Sequence, residues 1–275
     1  MVAKALPRQL PSPEPTSGLS GTLQRGLRII EILASAPAPL SLAELSERVR
    51  FDNSTAHRLV QLLVDEGYVC RVEGSKRYSL GPRSVSPLAA YHPINNLIRD
   101  TYETMQGIRD ETGETVSLIV NFGVERVIAN LVQGRENLPT AYGTWLRNPI
   151  HCSASGKCIL MTHSALAMRE LLGSGPLPAT TEFTTTDVNE LVRQIEEAKK
   201  HGFVIARDDA FVGLTAIGAP ISRNGNGIGS LVIAGSSSRF TQTVAERCGQ
   251  VLARAANLIT NITPSVPYVA NFLGW

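Results

Sequence analysis

Between Leu23 and Leu80 the spacing of apolar side chains changes in an order that leaves few folds open. Leu23, Leu27, Ile30 and Leu33 recur at three- and four-residue steps, with Ile29 and Ile32 widening the stripe, so the spacing predicts a helix to Ser35 that Pro37 and Pro39 stop. A short second helix follows with Leu42, Leu45 and Val49 on one face, and Ser41 and Glu44 hold the spacing of a capping box at its start. Arg50 to Asp52 form a turn. Asn53 and Ser54 then offer side-chain oxygens to the free amides of a third helix, in which Leu59, Leu62 and Leu63 point inward. Past Gly67 the period drops to two, and YVCRV and RYSL read as strands joined by the polar turn Glu73 to Lys76.

Three helices and a hairpin in this order make a winged helix-turn-helix over residues 21–80, and they fit an ordinary small α+β core equally well. The DNA-binding reading needs short and basic side chains at the start of the third helix, where it enters a major groove. Asn53, Ser54, Thr55, His57 and Arg58 meet that need: Arg58 suits guanine or phosphate, and the small hydroxyls suit phosphate at a helix N-terminus. Arg50, Lys76 and Arg77 add charge on the turn and the wing. Bulk charge names no partner, because 26 Lys and Arg against 24 Asp and Glu leave only +2. A basic face must come from sorting of charge within the module.

The first twenty residues hold four of the sixteen prolines and few large apolar side chains, which predicts a flexible arm. Lys4 and Arg8 are followed by Pro11, Pro13 and Pro15 where a signal peptide needs an unbroken apolar run, so a cytoplasmic location is expected. Ala255 to Trp275 carries no charge, but Asn257, Asn261, Asn271, Pro264 and Pro267 make it a helix end plus a tail, and no membrane partner is expected. After His92-Pro93 a helical stripe of Ile94, Leu97, Ile98, Tyr102, Met105 and Ile108 predicts a linker helix within residues 81–112. Residues 113–275 then alternate strands (TVSLIVNF, RVIANLVQ, FVIAR, LTAIGAPI, GSLVIAG) with helices near 154–172, 187–200 and 241–262, a separate α/β domain.

Two motifs invite other chemistry. His151-Cys152-Ser153-Ala154-Ser155-Gly156-Lys157-Cys158 precedes a helix and admits a hydrolase or transferase with a Cys152 or Cys158 nucleophile and His151 as its partner. Adjacent His and Cys rarely reach that geometry, the G-x-S-x-G elbow is missing, and Cys158 stands where a phosphate loop needs Ser or Thr. The alternative is a run of small residues that lets backbone approach a ligand at a helix start. Gly225-Asn226-Gly227-Ile228-Gly229 lies between two strands and reads as a tight hairpin with Asn-Gly at its tip, not a dinucleotide loop. The four cysteines show neither paired nor zinc-ligand spacing. No metal, cofactor or catalytic residue is expected.

LQRGLRIIEIL, LSLAELSERV, NSTAHRLVQLLVDEGYV and RYSLGPR, in order and at close spacing, resemble the DNA-binding half of IclR-family transcriptional regulators. PIHCSASGKCIL, HGFVIARDD, GLTAIGAPI and GSLVIAGSSSRFT are similar to successive landmarks of that family's effector domain. The resemblance covers roughly residues 21 to 262. It implies an α+β chain with an N-terminal winged helix-turn-helix, a linker helix used for dimerisation and a C-terminal GAF-like α/β effector-binding domain. It also implies double-stranded operator DNA and a small-molecule effector as partners, a homodimer assembled as a dimer of dimers, and a ligand-released repressor of a catabolic operon, with activation as the opposite sign. The turn before the third helix departs from the family, carrying Arg50 and Asn53 where a glycine and a basic residue are usual. By alignment to members that bind small keto acids, the pocket side chains fall on Ala206, Ala216, Val232 and Ala234, and the pocket amides on Ala154 and Ser155. That floor is more apolar than in the keto-acid binders, so specificity must come from elsewhere, with Tyr142, Trp145, Ser155 and Ser236 as candidates. A packed rim explains Tyr142 and Trp145 equally well.

Overall fold

The computed structural model describes residues 21–36, 38–85, 92–136, 138, 145, 146 and 148–275, and these fall into two compact units divided near residue 92. In the N-terminal unit, α1 (Thr22–Ser35), β1 (Leu40–Ser41), α2 (Leu42–Val49), α3 (Asn53–Asp65), β2 (Val69–Arg71), β3 (Arg77–Leu80) and the single turn α4 (Pro82–Val85) follow one another. The core joins Ile29, Ile32 and Leu33 of α1 to Leu45 and Val49 of α2, Leu59 and Val60 of α3, and Val69. The buried stripe of α1 is rotated from the expected one: Gly26, Ile29, Ile32 and Leu33 face inward, while Leu23 and Leu27 are exposed. On α3 the inward residues are Ala56, Leu59 and Val60, and Leu62 is 47% exposed, because Val60 takes the inward position one turn after Ala56.

The capping box on α2 forms as expected, with Ser41 N donating to the Glu44 carboxylate at 2.7 Å. The cap of α3 differs. Asp52, one residue earlier than expected, accepts from the Thr55 amide at 2.8 Å, and Ser54 donates its hydroxyl to the same carboxylate at 2.5 Å. The hairpin also acquires a third strand that periodicity did not reveal: Leu40 and Ser41 pair with Tyr78 and Arg77 to give the order β1-β3-β2.

The C-terminal unit begins with α5 (Pro93–Thr112), followed by β4 (Thr115–Phe122), β5 (Glu125–Val132), β6 (Trp145–Leu146), α6 (Ala154–Met161), α7 (Ala165–Leu172), α8 (Val188–His201), β7 (Val204–Arg207), β8 (Leu214–Arg223), β9 (Asn226–Ser236), α9 (Gln242–Ile262) and α10 (Val266–Phe272). The strands form one antiparallel sheet in the order β6-β5-β4-β9-β8-β7. Alternation along the strands sorts its two faces. Ile217, Ala219 and Ile221 of β8 pack under α9, whose Ala245, Cys248, Leu252 and Ala256 are buried. Gly218 turns to the opposite face beneath α6, where an added Cβ would stand 2.7 Å from Cys158 Sγ and 3.1 Å from Ala154 O, so only glycine lets helix and sheet approach this closely.

Three expectations change in detail. The helix foreseen over 154–172 is two helices, because Thr162 turns its hydroxyl back to Ile159 O and Ser164 caps a new start by accepting from Ala167 N. The uncharged C-terminus is no loose tail: α10 buries Val266, Val269 and Ala270 against α5 and β8. On α5 the inward position next to Leu97 belongs to Thr101, whose hydroxyl donates to Leu97 O at 2.8 Å, and Tyr102 is exposed. The hairpin between β8 and β9 turns on Asn224-Gly225, both at positive φ, with Arg223 and Asn226 as the last pair. Among the described residues no helix is long and apolar enough to cross a membrane.

Candidate functional site

In the N-terminal unit, α2 hands over to α3 through a Schellman turn. The Phe51 amide donates to Ser46 O at 3.1 Å, the Arg50 amide to Glu47 O at 3.2 Å, and Arg50 itself sits at φ 58°. The glycine-like turn is therefore kept by an arginine in the left-handed region. One residue on, the Asp52 cap draws the first turn of α3 tight, and the Ser54 hydroxyl and Thr55 amide hold its carboxyl well below the usual range. With Ala56, Leu59 and Val60 locked in the core, Asn53, Ser54, His57 and Arg58 all stand exposed on the outer side of α3, and Thr55 is half-buried.

Lys76 is exposed at the turn of the β2–β3 hairpin. Arg77 is also exposed but already engaged, its Nη1 donating to Pro39 O at 2.8 Å and to Glu44 at 3.1 Å, so it ties the hairpin to the start of α2.

In the C-terminal unit, the predicted effector residues gather on the α6 face of the sheet. Ala154, Ala206 and Val232 join Ile119 in one buried cluster, with Ile128, Leu146 and Ala216 at its margin. Ala234 pairs with Ala216 and so shares that face, and Ser236 follows at the end of β9, its hydroxyl 2.9 Å from that of Ser238. Ser155 is buried at the start of α6. Trp145 does not join them. It pairs with Val127, which alternation turns away from Leu146 and the cluster; it is 38% exposed, and its indole N–H donates to Glu125 at 2.6 Å. Tyr142 lies outside the described residues.

Two groups that sequence reading passed over dominate the electrostatics here. Arg126 is 2% exposed and reaches the start of α6, donating to the Ser153 and Ser155 hydroxyls and to Asn148 O, while its Nε has no partner. Burial pulls its pKa down to about 10, so it remains a cation at neutral pH. Lys157 and Asp209 form a buried ion pair, and burial pushes the Asp209 carboxyl up against the opposing pull of Lys157. A signal for Arg126 was present: in ERVIANLVQ it is two residues from Ile128 and therefore on the same face of the strand.

The thiol chemistry has no footing in this geometry. Burial raises both Cys152 and Cys158, Cys152 Sγ donates to Pro149 O at 3.3 Å, and His151 Nε2 lies 2.9 Å from Pro178 O. Gly156 completes the packing of this turn, since an added Cβ would lie 2.2 Å from Ile150 O.

Two family models match, the IclR helix-turn-helix domain over residues 22–73 and the bacterial transcriptional regulator IclR C-terminal domain over residues 90–261. The chain belongs to the IclR family. Among its relatives, the probable transcriptional regulator SauR of Cupriavidus necator is 28% identical over 73% of this chain and 79% of that protein. The transcriptional repressor IclR of Escherichia coli is 25% identical over 90% and 91%. The solved structure of the Thermotoga maritima IclR superposes with a TM-score of 0.69 at 25% identity, covering 92% of this chain and all but 1% of that one. An IclR homolog from Microbacterium hydrocarbonoxydans, complexed with 4-hydroxybenzoate, gives 0.70 at 23% identity over 90% of this chain and the whole of its own. Membership of the IclR family makes the chain a DNA-binding transcriptional regulator and not an enzyme.

Proposed function

We propose that this IclR-family regulator is a repressor of a catabolic operon, acting in the cytoplasm and released from its operator by a small carboxylate or aldehyde metabolite. The observation that carries the reading is α3: its inner face is fixed in the core while Asn53, Ser54, His57 and Arg58 stand exposed on its outer side. Arg50, Thr55, Lys76 and Arg77 complete the DNA-facing set. The effector lies on the small-residue surface of Ala154, Ser155, Ala206, Ala216, Val232, Ala234 and Ser236, with Tyr142 as a rim residue; Trp145, which alternation turns to the other face, is not part of it. Residues 1–20 serve as an arm, 21–80 as the DNA-binding module, 81–112 as the linker, through which the chain dimerises and pairs into a dimer of dimers, and 113–275 as the effector domain. Curated relatives named as repressors support the sign, among them those of Escherichia coli and Salmonella typhimurium. The homolog holding 4-hydroxybenzoate supports a small carboxylate as ligand.

An effector that favours the DNA-free conformation by about 1–3 kcal/mol weakens operator binding roughly 5- to 150-fold. The test is fluorescence anisotropy of the full chain on a duplex selected by the protein from random sequence, titrated with small acids and aldehydes. Arg58→Ala is expected to cost about 1–3 kcal/mol on that duplex and to relax its sequence preference. An unchanged affinity for that variant, or operator binding indifferent to every ligand, refutes the reading.

A further inference from the structure

A guanidinium buried without a carboxylate in ion-pair contact is an unusual thing for a fold to hold, and among the described residues Arg126 is in that position. Its four bonded contacts are all to neutral oxygens, those of Ser153, Ser155 and Asn148, and among the described residues no carboxylate lies in ion-pair contact with it. Neighbouring Glu125 acts on Arg126 only through space: its carboxylate accepts from the Trp145 indole on the other face of the strand. Cys152 is no counter-ion either, since burial keeps its thiol protonated.

The surroundings add to the positive potential. Arg126 reaches the hydroxyls that flank the first residue of α6, where the amides of Ala154 and Ser155 precede the first intrahelical bond, Lys157 N to Ser153 O. The partial positive charge of the helix start and the guanidinium beside it add, and an anion bound next to them offsets both. The Arg126 Nε–H is buried without an acceptor, and the Ser155 hydroxyl accepts from Arg126 while keeping its own proton to donate. Beside this charged corner, Leu146 pairs with Arg126 across β5–β6, and Ile128, Ile119, Val232 and Ala206 continue the same face as an apolar floor.

We propose that Arg126 and the start of α6 form the anchor for the carboxylate of an organic monoacid whose apolar body lies on this floor. The inference rests on the effector-domain reading above and narrows it: the ligand carries one anionic end and an otherwise apolar body, and Arg126 selects the charge. A neutral analogue leaves the guanidinium without its counter-ion and gains only the floor.

The experiment is isothermal titration of the full chain with benzoate and, in parallel, its neutral analogue benzamide, on wild type, Arg126→Met and Arg126→Lys. Wild type is expected to bind benzoate at least tenfold more tightly than benzamide. Arg126→Met is expected to lose about 10- to 100-fold for benzoate with benzamide unchanged, while Arg126→Lys retains part of the discrimination because it keeps the charge. Circular dichroism checks that the variants fold, and if Arg126→Met does not, the benzamide comparison and Arg126→Lys carry the decision. Equal binding of acid and amide, undiminished benzoate binding by a folded Arg126→Met, or no benzoate binding at millimolar concentration overturns the anchor. Operator binding separates this from the broader proposal: a chain that takes benzoate through Arg126 but ignores DNA refutes the repressor and keeps the anchor. A chain released from DNA by neutral ligands alone does the reverse.

Discussion

Arg50 holds the turn before α3 in a backbone region that suits glycine, and replacing it separates what its backbone costs from what its side chain does. An L-residue in the left-handed region carries about 1–2 kcal/mol of strain. Glycine relieves that but gives back roughly 0.5–1 kcal/mol through the greater freedom of its unfolded chain. The difference leaves Arg50→Gly about 1 kcal/mol more stable than Arg50→Ala, since alanine removes the guanidinium but keeps the φ of 58°. Hydrogen exchange measured by mass spectrometry on peptides from α2 and α3 reads this in the unit concerned, and about 1 kcal/mol appears there as roughly fivefold greater protection. Peptides from the C-terminal sheet are expected to be unchanged. Both variants are expected to lose the same DNA affinity, and to flatten the salt dependence by about one phosphate contact, because both lack the same charge. Equal protection of the glycine and alanine variants refutes the strain argument. Unequal DNA affinities refute the view that Arg50 acts on DNA through its charge alone.

The remaining predictions concern groups whose surroundings are equally specific. Asp52→Ala removes the α3 cap and is expected to lower protection across that helix. Because the folded carboxyl is depressed from its ordinary 3.8, the loss is full near neutral pH and closes as the pH falls through that value and below, which a pH series of urea midpoints checks. Lys157→Met strands Asp209 in the interior and is expected to destabilise by about 3–5 kcal/mol, whereas the Lys157→Met, Asp209→Leu pair recovers most of that loss. Iodoacetamide is expected to leave Cys152 and Cys158 unmodified in the native chain at neutral pH and to label both in urea; rapid native labelling of either contradicts their burial.

What could be read from the sequence was whatever repeats along it. The three helices and hairpin, the linker helix and the five longer strands each announce themselves through an apolar period of 3.6 or 2, and the Ser41–Glu44 box through a local spacing. Stripe orientation was less secure. On α1 and α3, leucines at both inner and outer positions leave the helical period intact, and only packing decides that Ile29 goes in and Leu27 out. Elements too short to show a period, β1 and β6, were invisible, and α10 was hidden by the prolines and asparagines around it. The resemblance to the IclR family pointed to Ala206, Ala216, Val232 and Ala234, which strand pairing and alternation bring to one face of the sheet. It did not point to Arg126, whose one sequence signal is its place two residues before Ile128 and whose partners are set when the chain brings β5 to the start of α6.

Arg50 and Arg126 share a logic across the two units. A chain selected for stability alone would place glycine at the first position, and at the second it would avoid a buried cation whose desolvation neutral hydrogen-bond partners repay only in part. Both arginines hold strain or desolvation, and on the proposals above a polyanion offsets it at Arg50 and a carboxylate at Arg126. For Arg126 the consequence is a crossing of stabilities. The ligand-free Arg126→Met chain is expected to melt at or above wild type, while a carboxylate at a hundred times its Kd stabilises wild type alone by about 2.7 kcal/mol and reverses the order. If Arg126→Met melts well below wild type without any ligand, the hydrogen bonds of the guanidinium tie β5 to the start of α6 strongly enough to outweigh its desolvation, and the expected crossing of stabilities does not occur.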